Sequence, residues 1–142
     1  MWAISYKIEM NLQSHIRLIF LSAFVLFVLN KWLIRPWITK MEIQGFVVLF
    51  SYSVPNFIEA IMGSFIVTGF LAYYGKTWFR SPGLLQITGV SLAGIYVITQ
   101  ELKIHNLGGN NVYDPYDLAA SILGLMLSYL IIRRYGILQD SE

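Results

Sequence analysis

The sequence predicts an all-α integral membrane protein: four transmembrane helices in an antiparallel bundle, with a short interfacial or re-entrant segment before the second span. Three observations carry this. Hydrophobic residues make up 56% of the 142-residue chain and charged residues 13%, against about a quarter charged in a soluble domain. The mean hydropathy is +0.60. Four stretches approach the roughly 20 apolar residues a helix needs to cross a bilayer, where every backbone polar group must be satisfied within the segment. A chain of this length holds one domain. It has no cysteine, which excludes disulfides, iron–sulfur clusters and thiolate zinc sites. Its net charge of +2, without a basic patch interleaved with aromatics, gives no footprint for nucleic acid.

The first span covers residues 16–34. Its apolar core is too long for a cleavable signal, and Asn30-Lys31-Trp32 stands where a small-residue cleavage site would lie, so it is expected to remain as an anchor. Before it, Trp2, Ile4, Tyr6, Ile8, Met10 and Leu12 alternate with polar residues. That period suits a strand, while Ile4, Ile8 and Leu12 also share one face of a short interfacial helix; both readings stand. After Arg35-Pro36-Trp37 comes an apolar run from Gly45 to Tyr52, too short to span alone. The residue before a proline avoids the α region and proline suits a helix's first turn. The second span is therefore expected to start near Pro55 and cover residues 55–74, with 45–54 as the separate piece.

A tight loop punctuated by Pro82 and Gly83 leads to the third span, residues 84–102. Trp78 and Phe79 in that loop suit headgroup level. The next loop, with His105, Gly108, Gly109 and Asn111, is expected to be irregular. Asp114-Pro115-Tyr116-Asp117 then reads as a helix start: Asp114 as N-cap, Pro115 first in the helix, Asp117 in the first turn at the positive helix end. The fourth span covers residues 116–132.

An even number of spans puts both termini on one side. That side, with the loop after the second span, holds Lys7, Arg17, Lys76, Arg80, Arg133 and Arg134; the opposite side holds Lys31, Arg35, Lys40 and Lys103. Cytoplasmic loops carry the Lys/Arg excess, so both termini are expected in the cytoplasm. The extracytoplasmic end then gathers Arg35, Asn56, Glu59, Gln100, Glu101, His105, Asn111, Asp114 and Asp117. With Glu42 it holds five of the eight acidic residues.

Ionisable groups within a span are costly and generally face a bundle interior or water. The candidate ligand-binding residues are Glu59, Glu101, Asp117, Asp114, Asn56, Asn111 and Arg35. Structural roles compete: Asp114 and Asp117 cap a helix, Glu101 pairs with Lys103 or Arg35, Glu59 is hydrated near the interface. His15 and His105 fall at opposite ends, and neither a paired-histidine motif nor an Asp-rich run occurs, so no metal or cofactor is expected. Serine-nucleophile and phosphate-loop signatures are absent. Small residues recur at helical spacing: Ala60, Ser64, Thr68 and Ala72; Gly89 and Ala93; Ala120, Gly124 and Ser128. They suit close packing inside the bundle, and an inward small face on the last span turns Asp117 inward too.

The stretch from Gln100 to Leu130 resembles the signature region of the VanZ-like family of small bacterial membrane proteins. That pattern has Glu at a helix end, a loop with Arg, then Asp-x-x-Ala-Asn-x-x-Gly-x-x-x-Gly entering the last helix. Glu101, Asp117, Ala120 and Gly124 match it; Ser121 replaces the Asn, Ser128 the last Gly, Asn111 or a neighbour stands at the Arg, and the Gln usually following the Glu is not at its place. Ser53-Val54-Pro55-Asn56-Phe57-Ile58-Glu59 also resembles the Pro-Asn-Phe start of a span in short family members. The resemblance implies a bacterial inner-membrane protein that binds or modifies an envelope lipid or a lipid-linked, cell-wall or glycopeptide-related ligand; the namesake is associated with low-level teicoplanin resistance. The missing Arg matters because guanidinium suits bidentate anion binding; Arg35 is the available substitute. A second function class is a non-catalytic subunit or assembly partner of a larger membrane complex, using the small-residue faces and Phe20, Phe24, Phe27 and Trp32. A third is a membrane-permeabilising effector. A lone transporter does not fit, since four spans leave little room for two gated halves.

Overall fold

In the computed structural model four helices are long and apolar enough to cross a membrane. It describes residues 2–102 and 114–136, with side chains from His15 onward, that of Lys76 excepted. Helix α1 (Trp2–Leu29) passes through a π turn (Asn30–Ile34) into α2 (Arg35–Lys40), and α3 is Phe46–Tyr74. A short 3₁₀ turn, Lys76–Trp78, leads to α4 (Pro82–Glu101), and α5 is Pro115–Tyr135. The alternation before the first span thus forms helix rather than strand, continuous with the span. From His15, where the described side chains begin, through the π turn and α2 to Lys40, the helix is long and apolar enough to cross a membrane. The wide π turn falls just ahead of Pro36, which has no N–H to give the helix; there the Arg35 N–H bonds Asn30 O, five residues back as π geometry requires.

The connection from α2 to α3 is a tight turn, with Met41 N–H on Trp37 O at 3.0 Å and Ile43 N–H on Ile38 O at 3.2 Å. Gly45 has φ 81°, a conformation that favours glycine. The chain then enters α3 directly. No separate interfacial or re-entrant segment precedes the second span: residues 46–54 are its first turns, and Pro55 lies inside one 29-residue helix. The expected start at Pro55 is corrected, because a neighbouring helix supplies what the proline withholds.

The starts of α4 and α5 follow their sequence signals. Ser81 Oγ accepts from Leu84 N–H at 3.3 Å ahead of Pro82, and Asp114 Oδ1 accepts from Tyr116 N–H at 2.8 Å ahead of Pro115. These are N-caps followed by proline in the first turn. The expected irregular loop carrying His105 and Asn111 lies outside the described residues.

Helix α3 is the centre of the bundle and packs on α1, α4 and α5. Residue pairings fix the directions. A side-chain carbon at Gly89 of α4 would fall 2.8 Å from Thr68 Cα, and one at Gly124 of α5 would fall 3.0 Å from Ala60 Cβ. Ile61 and Phe65 of α3 meet Ile132 of α5, with Ile19, Phe20 and Val90 packed around them. So α4 runs against α3 while α5 runs with it, as an up-and-down bundle requires. Ala60, Ser64, Thr68, Gly124 and Ser128 are buried, so the small-residue stripes serve contacts within the chain. Ala120 is only half-buried; the inward stripe of α5 runs through Ser121, Gly124, Ser128 and Ile132.

The apolar core lies toward the end holding Tyr74, Pro82 and Tyr135. There the His15 and Tyr135 rings approach to 6.2 Å, joining α1 to α5. Outward faces are apolar on every span, as in Leu21, Phe70, Ile95 and Leu123. From Tyr52 to Tyr73, both exposed, α3 rises about 32 Å at 1.5 Å per residue, the thickness of a hydrocarbon core flanked by aromatic belts. The chain is a multi-pass membrane protein whose environment is the lipid bilayer.

Candidate functional site

The end opposite the apolar core is organised by Pro55. Without an N–H, proline leaves the carbonyl four residues earlier, that of Ser51, without its helical partner. Arg35 Nε donates to Ser51 O at 3.3 Å and Arg35 Nη2 to Tyr52 O at 2.7 Å. The guanidinium also lies over the Tyr52 ring, 4.5 Å from its centroid, a cation–π contact. Arg35 thus clamps α2 to α3 across the proline. Two of its donors face backbone carbonyls rather than standing open to an anionic ligand.

Around this clamp the acidic residues converge from three helices. Glu101, the last residue of α4, faces the charges of Asp117, Glu59 and Asp114. Asp117, in the first turn of α5, lies beside the Ser53 and Asn56 side chains of α3 and within the field of Arg35. Its Oδ1 is buried and has no hydrogen-bond partner among the described residues. Asp117 therefore turns inward, while Asp114 keeps a carboxylate oxygen on its own helix as the cap. Glu59 is exposed at the bundle surface and faces the cations Lys31 and Arg35. Because α3 begins at Phe46, Glu59 lies about 10 Å along the helix from Tyr52 at 1.5 Å per residue, deeper than a start at Pro55 implies.

Of the sequence candidates, Glu59, Glu101, Asp117, Asp114, Asn56 and Arg35 share this end; Asn111 lies outside the described residues. Among the described residues no three of His, Cys, Asp or Glu come together as a metal-binding set. Ionised carboxylates only accept hydrogen bonds, so their gathering offers a seat to donors: an ammonium, an amide or a hydroxyl. Lys31 and the Arg35–Ser51 contact had no motif to announce them, and Ser53 stood in the Pro-Asn-Phe stretch without being a candidate. The signal available was Pro55 itself, since a proline inside a span obliges a partner for a freed carbonyl.

A cleft of about 350 Å³ opens between α1 and α4, with α3 as its floor, within the size range of small-ligand pockets. Phe24 and Phe27 form one wall, Leu92 and Tyr96 the other, and Glu59 and Gln100 stand at the polar end. Lys31 Nζ lies 5.3 Å from the Phe27 ring centroid, which brings its ammonium to the same mouth. Gly63 is on the floor, and a side-chain carbon there would meet nothing within 4 Å.

Comparison of the chain with protein-family models, curated proteins and solved structures finds no match.

Proposed function

We propose that this is a VanZ-like protein of the bacterial inner membrane that binds or modifies an envelope lipid or glycopeptide-related ligand at the extracytoplasmic end of its bundle. The observation that carries the reading is the inward Asp117 carboxylate, whose buried Oδ1 meets no donor among the described residues, beside Glu101 and Asn56. A buried acceptor without a donor costs free energy, and a bound donor removes that cost. Glu59, Glu101 and Asp117 are the ligand contacts. Asn56 flanks them, and Arg35 holds α3 in place.

Removing one charged hydrogen bond of about 1.5–3 kcal/mol lowers affinity roughly tenfold or more. Wild-type protein purified in mild detergent from a bacterial inner membrane is expected to carry an envelope lipid or precursor visible by mass spectrometry. Asp117→Asn and Glu101→Gln are expected to insert and accumulate normally and lose that molecule. Retention in both, or failure of both to accumulate, would make these carboxylates structural.

A second reading, a subunit of a larger membrane complex, draws on the first span, His15–Lys40. Only 6% of its apolar window is buried, against 39% for α3, and Phe24, Trp32 and Trp37 are exposed. A stoichiometric protein partner on native purification would favour it.

A further inference from the structure

The cleft between α1 and α4 has two unlike ends. Its walls are apolar over the stretch of α3 from Glu59 to Val67, about 12 Å at 1.5 Å per residue. Its mouth carries an anion, Glu59, and a cation, Lys31, whose ammonium stands over the cleft-lining Phe27 ring. Gln100 adds an amide. Beyond Glu59 the field is set by Glu101, and Arg35 is engaged by backbone carbonyls.

Gly63 is the second observation. Glycine within a helix costs about 1 kcal/mol relative to alanine, and it is usually kept where another backbone approaches, as at Gly89 and Gly124. At Gly63 nothing among the described residues approaches within 4 Å. Its missing side chain leaves the floor of the cleft open and supports no contact among those residues.

We propose that the cleft holds an acyl chain of a zwitterionic phospholipid with a primary-ammonium headgroup, the ammonium donating to Glu59 and the phosphate meeting Lys31. This rests on the reading of the acidic end as a lipid-headgroup site and names the headgroup chemistry. Both charges at the mouth are then answered. An anionic glycerol headgroup would bring hydroxyl donors but no cation of its own to Glu59. A choline headgroup would bring a cation with no N–H to donate.

The test is native mass spectrometry in mild detergent. Phosphatidylethanolamine, phosphatidylglycerol and phosphatidylcholine of identical acyl chains are added in competition. Wild type is expected to retain one phosphatidylethanolamine about tenfold over either competitor. Gly63→Leu, which grows a side chain from a floor position where an added Cβ meets nothing within 4 Å, is expected to lose retention of all three; Ile66→Trp, from an exposed position on the same helix, serves as a second filling variant. Glu59→Gln is expected to keep a lipid and lose the headgroup preference. Wild-type retention in a folded Gly63→Leu, or an unchanged preference in Glu59→Gln, would overturn the proposal. So would a lipid-free dimer, which would assign the cleft to a second copy. If Asp117→Asn and Glu101→Gln lose their ligand while Gly63→Leu changes nothing, the cleft proposal alone falls. If Gly63→Leu loses lipid while the two carboxylate variants keep theirs, the Asp117 site falls and the cleft stands.

Discussion

Arg35 shows how one residue lets another break a local rule. Proline in a helix interior removes a hydrogen bond and is expected to kink or end the helix. Here α3 continues through Pro55 while Arg35 donates to the Ser51 carbonyl that the proline leaves free. Arg35→Ala is expected to destabilise the protein by about 1–3 kcal/mol, the cost of an orphaned acceptor. Pro55→Ala restores an N–H at position 55, so Arg35→Ala in that background is expected to cost less, with a coupling of about 1 kcal/mol. Unfolding midpoints of the four proteins in mixed micelles measure this; strictly additive effects would contradict the clamp. The proline was plain in the sequence. Arg35, sixteen residues before the carbonyl it meets, was not legible as its partner, because no local pattern ties an arginine at one helix end to a carbonyl on the next. The same gap hid the meeting of Ser53 with Asp117, while Asp114 and Pro115 announced their cap through neighbouring residues alone.

Among the elements, glycines distinguish packed surfaces from open ones. Gly124 lies against Phe57 O and Ala60, and Gly89 against Thr68, so any added carbon there must push backbone apart. Gly124→Ala is expected to cost about 1–3 kcal/mol, as overpacking does. Gly63→Ala is expected to be neutral or to stabilise by up to about 1 kcal/mol, the gain in helix propensity. Thermal unfolding in detergent measures both; equal effects would contradict the assignment of packed and open faces. The spacing of Ala60, Ser64 and Thr68 made the packed stripe of α3 legible, since close approach in lipid demands small residues. Which helix each stripe meets was not legible. Gly63 carries the opposite meaning one position before Ser64, and only the arrangement of three helices tells them apart.

At the scale of the whole molecule, four spans and one acidic end follow from composition and the even count of apolar stretches. Length is where the sequence misled: α3 absorbs the run before Pro55, which sets Glu59 deeper and gives the cleft its polar mouth. The functional account depends on which side of the membrane that end faces. The chain has no cysteine, so single cysteines report position cleanly. Gln44 is exposed in the turn between α2 and α3, at the acidic end, and Thr77 is exposed in the turn between α3 and α4 at the other. The deciding measurement is labelling of Gln44→Cys and Thr77→Cys in intact cells with a membrane-impermeant thiol reagent. Gln44→Cys is expected to label directly and Thr77→Cys only after lysis. The reverse pattern would put Glu59, Glu101 and Asp117 on the cytoplasmic side and contradict an envelope ligand.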